Sequence, residues 1–184
     1  MPPPAMPARG FLYNPAMLQN VPVARILGFL FLASVVLLAW MTYDGYRTAA
    51  GTLSVGAHIR FALFGMVIVL FTHTMTLFYF VGTGSRIKKV VGQYALQQAF
   101  VDRTRRFKAR LFPWLTFTPL VTMAAFIIGG GAHTRVIPGW VHGVLALLAL
   151  GMNLATAALA VTCISDNIVL IGEIDAALPE TAGE

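Results

Sequence analysis

Four histidines, His58, His73, His133 and His142, are the residues of this sequence whose side chains best suit metal, haem or proton chemistry. His73 lies within a long apolar stretch, where an ionisable side chain needs a partner, so it is the leading candidate. Its imidazole can be an axial ligand of haem b or a hydrogen-bond donor to a quinone. The alternative is a neutral histidine bonded to a neighbouring helix, with Thr72, Thr76, Thr118, Thr122 and Asn153 as candidate partners.

The other three histidines fall near one level, at the outer face of the predicted helices. His58, His133 and His142 together predict a divalent metal site, and His58 and His142 are also candidate haem or quinone ligands. His58 and His73 are separated by about 22 Å along a continuous helix, so they lie at different depths in the membrane. His142 has no deeper histidine on its own helix. The chain therefore predicts at most one haem from its own ligands.

The composition indicates the environment that must position these side chains. The chain has 184 residues, of which 58% are hydrophobic and 11% charged. A soluble domain carries about 25% charged residues, so an ordinary soluble enzyme is excluded. A surface facing lipid is the remaining explanation.

Four stretches are long and apolar enough to cross a bilayer as helices, which takes about 20 residues. They cover about 26–43, 61–81, 111–132 and 140–164, and none contains Lys, Arg, Asp or Glu. Backbone groups in lipid must be hydrogen-bonded internally, which favours helices. The fold class predicted is an all-α integral membrane protein with four transmembrane helices in an antiparallel bundle.

The remaining segments flank this bundle. Residues 1–24 form a proline-rich N-terminal arm, 25–178 the transmembrane domain and 179–184 a tail. Within the domain, 85–110 reads as a basic amphipathic helical segment, and 165–178 as an extension of the last helix. Both are predicted to be cytoplasmic.

Orientation follows from the positive charges. The positive-inside rule alone can explain the basic segment 85–110. Its eight cations nevertheless exceed what orientation needs, so the alternative is a binding surface for anionic lipid headgroups. Both termini then lie in the cytoplasm, with the helices in an inner or cytoplasmic membrane. Because the excess charge of +6 is concentrated beside the membrane, the sequence predicts lipid and no nucleic-acid partner. The cations concerned are Arg86, Lys88, Lys89, Arg103, Arg105, Arg106, Lys108 and Arg110.

Small residues in the fourth span predict close helix packing. Gly151 and Ala155 form a small-xxx-small pair, and Asn153 lies on an adjacent stripe with two alanines. Such faces let helices approach closely in lipid, where association depends on packing.

These features bear on four classes of function. A single-copy transporter is disfavoured because the spans lack carboxylates and lysines, although an oligomeric transporter or channel stays open. An enzyme acting alone is disfavoured because no nucleophile, acid and base converge. The favoured function is a non-catalytic accessory subunit of a larger membrane complex, with other membrane subunits as partners. The alternative is a haem b- or quinone-binding anchor subunit of a redox enzyme.

Overall fold

Four long helices make up the protein. The structure, a computed structural model, describes residues 21–178. The helices are α1 (Val21–Ala49), α2 (Val55–Gln93), α3 (Ala99–His133) and α4 (Gly139–Ala176), and each is long and apolar enough to cross a membrane. The fold class predicted from sequence is confirmed, and the chain is a multi-pass membrane protein.

The first helix begins earlier than predicted. α1 starts at Val21, so the last residues of the predicted arm are helical. Pro22 lies in the first turn, where backbone N–H groups have no acceptor within the helix. The absence of an N–H in proline therefore costs no hydrogen bond there. The rest of the arm and the 179–184 tail lie outside the described residues.

Each helix packs mainly on two neighbours. α1 contacts α2 and α4, and α3 contacts the same two helices, which gives an antiparallel bundle with one helix at each corner. The three connections each contain a residue in the left-handed region, namely Gly51, Ala95 and Arg135. A left-handed residue turns the chain out of a helix and ends it.

The exposed apolar side chains mark the part of the bundle that faces lipid. On α2 the exposed large hydrophobic residues lie between Ile59 and Val81, and on α4 most lie between Trp140 and Val161. Each stretch is about 32 Å long, close to the thickness of a bilayer core. These limits agree with the predicted spans, and the helices continue well beyond them.

The helix ends beyond this band form a three-helix extension, here called the stalk, from 82–93 of α2, 99–110 of α3 and 165–176 of α4. Its core is mainly apolar, and the apolar cluster contains no described residue of α1. The outward positions carry charged side chains, as in a water-soluble bundle. The buried core residues are Ile87, Val90, Val91, Val101, Leu170, Ile171 and Ile174.

The basic segment 85–110 is helical but is not one surface helix. α2 continues to Gln93, and the backbone N–H groups of Tyr94 and Leu96 close its last turn. α3 starts at Ala99 after a short turn. The predicted segment is therefore two antiparallel halves of the stalk, because Ala95 adopts a left-handed conformation that reverses the chain.

Candidate functional site

Polar side chains from all four helices meet inside the lipid-facing part of the bundle. This polar layer is buried, with every member at most 4% exposed. Three hydrogen bonds cross between helices: Ser34 with Thr72 (3.0 Å), Thr118 with Thr156 (2.8 Å) and Asn153 with Thr122 (3.0 Å). The members are Ser34, Thr72, His73, Thr76, Thr118, Thr122, Asn153 and Thr156.

The threonines of the layer also bond to their own helices. The hydroxyl of Thr72 donates to the carbonyl of Ile68 at 2.8 Å, and Thr122 donates to Thr118 O at 2.9 Å. Each hydroxyl oxygen can still accept a further hydrogen bond. The layer thus satisfies polar groups that lipid would leave unpaired, and it ties the four helices together in pairs.

His73 is the ionisable member of the layer and is 1% exposed. Its Nδ1 lies 2.9 Å from the carbonyl oxygen of Val69, one turn earlier on the same helix. A carbonyl oxygen only accepts, so Nδ1 carries the proton and Nε2 keeps a lone pair. Nε2 is buried without a hydrogen-bond partner, and the ring packs edge-on against Phe31. The partner of Nδ1 is therefore a backbone carbonyl, and none of the predicted threonines or Asn153 forms this bond.

Asn153 leaves a second acceptor unpaired in the same layer. Its Nδ2 donates to Thr122 and, at 2.8 Å, to the carbonyl oxygen of Ala149, which fixes the orientation of the amide. Its Oδ1 is buried with no partner. Asn153 lies in the buried interior between α4 and α3.

His58 and His142 form a separate pair at the opposite end of the bundle from the stalk, here called the histidine end. Their ring centroids are 6.3 Å apart. Nδ1 of His142 lies 3.0 Å from the carbonyl oxygen of Ala125 on α3. The structure therefore brings together two of the three residues of the predicted metal site.

His133 does not join this pair. It ends α3 with an exposed side chain. Within residues 21–178 no group of three or more His, Cys, Asp or Glu side chains is placed to hold a metal ion. The direction of the His133 side chain depends on the rotation of the last turn of α3. A common depth in the membrane, which is what the sequence predicted, does not determine that rotation.

An apolar layer separates the histidine pair from His73. Leu38 and Val69 are buried there, and the Met41 thioether lies directly over Gly65. The two polar regions therefore cannot share one cofactor. The predicted set of His73, His142 and His58 divides into a midplane histidine and an outer pair.

Where the stalk joins the lipid-facing part of the bundle, two polar residues that the sequence patterns did not single out form a further link. Asn167 Nδ2 lies 3.1 Å from the Tyr79 hydroxyl, and this bond joins α4 to α2. Asn167 falls almost four turns beyond Asn153 on the same helix face, and that spacing is the sequence signal for an inward position. The Oδ1 of Asn167 is buried and unpaired.

The cations of the predicted lipid surface lie on the stalk. Arg103 pairs with Glu173 of α4, and Arg105 with Asp102 at 3.2 Å. The side chain of Lys108 lies against Gly84 and is half-buried, and this burial lowers the pKa of its ammonium group. The exposed cations are Arg86, Lys88, Lys89, Arg105, Arg106 and Arg110.

The small-residue pair of α4 lies on the outside. Gly151 and Ala155 are exposed, and a Cβ added at Gly151 meets nothing within 4 Å. Among residues 21–178 no helix covers either residue, in contrast to the buried Asn153 between them.

Comparison of the chain with protein-family models, curated proteins and solved structures gives no match.

Proposed function

We propose that this protein is a non-catalytic accessory subunit that packs into a larger multi-subunit membrane complex. The observation that carries the proposal is a lipid-facing stripe on α4 that the other described helices, within residues 21–178, leave uncovered. Gly151, Ala155, Ala158 and Thr162 are all exposed and recur at helical spacing on one face. A flat face of small residues lets a second helix approach closely, which is how helices associate in lipid.

The orientation of the subunit follows from charge. We place the stalk in the cytoplasm of an inner or cytoplasmic membrane, because its cations belong on that side by the positive-inside rule. α1 begins and α4 ends near the stalk, so both termini are cytoplasmic in this orientation. Exposed cations such as Lys88, Lys89 and Arg106 then face anionic headgroups, while the α4 stripe faces the partner subunits.

A bulky residue on the stripe tests the assembly. We expect Gly151→Ile to reduce co-purifying partner chains at least tenfold after gentle solubilisation, because the branched side chain prevents close approach. Native mass spectrometry of the purified assembly measures this loss. Gly28→Ile is the matched control, since Gly28 is a glycine of α1 with open space around it.

Two results would contradict the proposal. One is a wild-type chain that purifies as a monomer with no partner. The other is an assembly containing only copies of this chain, which would favour an oligomeric transporter or channel. Circular dichroism of Gly151→Ile should match the wild type, because the substituted position touches no other helix of the bundle.

The second candidate function, a haem b- or quinone-binding anchor, is favoured by the free Nε2 of His73. A histidine that ligates iron donates its other ring N–H to a neighbouring group, and His73 Nδ1 does so to Val69. In this tautomer Nε2 accepts, so it suits iron or the hydroxyl of a quinol. The sequence predicted that His73 donates a hydrogen bond to a quinone, and Nε2 in this tautomer does not suit that role.

A reduced-minus-oxidised spectrum of the purified complex tests this candidate. If His73 ligates haem, the b-type absorbance disappears in His73→Ala and persists in His133→Ala, whose side chain is exposed outside the layer. An unchanged absorbance in His73→Ala would exclude His73 as a ligand. No b-type absorbance in the wild type would exclude haem altogether.

A further inference from the structure

The histidine pair has features that neither helix packing nor the proposed function requires. His58 on α2 and His142 on α4 face each other at the end of the bundle away from the stalk. Packing alone would favour apolar side chains in this region, because an imidazole nitrogen without a partner costs desolvation energy. His58 Nδ1 is such an atom, buried and without a hydrogen-bond partner.

The imidazole of His142 makes the hydrogen bond that usually orients a metal-binding histidine. Its Nδ1 lies 3.0 Å from the Ala125 carbonyl oxygen, so this nitrogen carries the proton. The Nε2 atom therefore keeps its lone pair. A backbone carbonyl that accepts from the distal N–H fixes the ring and raises the basicity of the coordinating nitrogen.

Glycines provide the space for both rings. A Cβ at Gly129 would lie 2.9 Å from Cε1 of His142, which is closer than a side chain tolerates. A Cβ at Gly45 would lie 3.5 Å from Cε1 of His58, in contact with the ring. The two imidazoles thus lie against the backbones of α3 and α1, and four helices meet around the pair.

The two rings are close enough to share one ion. A metal–nitrogen bond of about 2.0–2.1 Å places a ring centroid about 3.2 Å from the ion, so two rings on one ion are about 5.2 Å apart at a tetrahedral angle and at most about 6.4 Å apart when the two bonds are opposed. The observed separation is 6.3 Å, so a tetrahedral ion would draw the rings together by about 1 Å. Asp44 is also buried at this end of the bundle, where its Oδ1 lies 3.4 Å from Nη1 of Arg47.

We propose that His58 and His142 bind one divalent transition-metal ion at the histidine end, with water completing its coordination. Imidazole nitrogens favour zinc, copper and nickel over magnesium and calcium, so the class of ion follows from the ligands. The site bridges α2 and α4 at the end of the bundle opposite the Asn167–Tyr79 hydrogen bond. It does not depend on the proposed function, since it lies on a different part of the molecule from the α4 stripe.

Isothermal titration with Zn²⁺ tests the site on the full chain in detergent, purified through a tag that contains no histidine. We expect one ion per chain, released by EDTA. His58→Gln and His142→Gln, which retain polarity and approximate size, should each weaken binding at least tenfold. His133→Gln is the control and should bind as the wild type does, because His133 is exposed outside the pair.

A second variant separates ligation from folding. Gly129→Ala keeps both histidines but displaces the His142 ring, so it should also weaken Zn²⁺ binding at least tenfold while the helical content is retained. Absence of Zn²⁺ binding in the wild type would overturn the proposal. Equal weakening by the His58, His142 and His133 variants would overturn it as well, because it would indicate surface binding.

Discussion

Replacing Ile174 by aspartate should open the stalk and leave the lipid-facing bundle assembled. Ile174 is 0% exposed and lies in the core that α2, α3 and α4 share beyond the lipid-facing band. An unpaired carboxylate at such a position costs about 3–5 kcal/mol. The stalk core is small, so this cost is a large fraction of its stability. Amide hydrogen exchange in detergent should show loss of protection in 82–93 and 165–176, with protection retained in 61–81.

Gly172→Asp is the matched control for this experiment. Gly172 lies two residues earlier on the same helix, is exposed, and has nothing within 4 Å of an added Cβ. The added charge is the same but stays in water, so exchange should match the wild type. Equal loss of protection in both variants would show that charge on α4 matters and burial does not. No change in Ile174→Asp would contradict the packed stalk.

The spans could be predicted from sequence because lipid excludes charge and forces backbone groups to bond within a helix. The exposed apolar side chains of α2, between Ile59 and Val81, fall almost where the absence of charge had placed the second span. The sequence signals for where a helix ends in water are weaker than the signals for a membrane span. Pro22 looked like part of an extended arm but occupies the first turn of α1, and the reversal at Ala95 has no glycine to signal it.

The direction in which side chains point was less predictable. Gly151 and Asn153 lie about 200° apart around a helix, so both cannot face the interior. Asn153 carries the polar group that lipid penalises, so it turns inward and Gly151 turns outward. The sequence alone implies this choice, whereas the exclusion of His133 from the histidine pair depends on how the α3–α4 connection ends each helix. The carbonyl partner of His73 depends on its ring torsion, which spacing does not encode.

The stalk and the lipid-facing bundle should also respond differently to the same truncation. Leu170 in the stalk is 0% exposed and Leu38 in α1 is 4% exposed, so both leave a cavity when replaced by alanine. In water a buried Leu→Ala change costs about 3–5 kcal/mol, of which about 2 kcal/mol is transfer of the lost methyl groups. In lipid the separated helices remain in an apolar solvent, so this transfer contribution is lost and the cavity contribution stays.

Leu170→Ala should therefore lower the free energy of unfolding by about 2 kcal/mol more than Leu38→Ala does. Steric trapping in bicelles measures both variants against the same wild type, with the lipid composition held constant. The comparison is internal, because the two changes remove the same atoms from sites of similar burial. Equal losses in the free energy of unfolding would mean that both leucines leave the same solvent on folding. The stalk core would then lie in lipid, which would contradict the division between the stalk and the lipid-facing bundle.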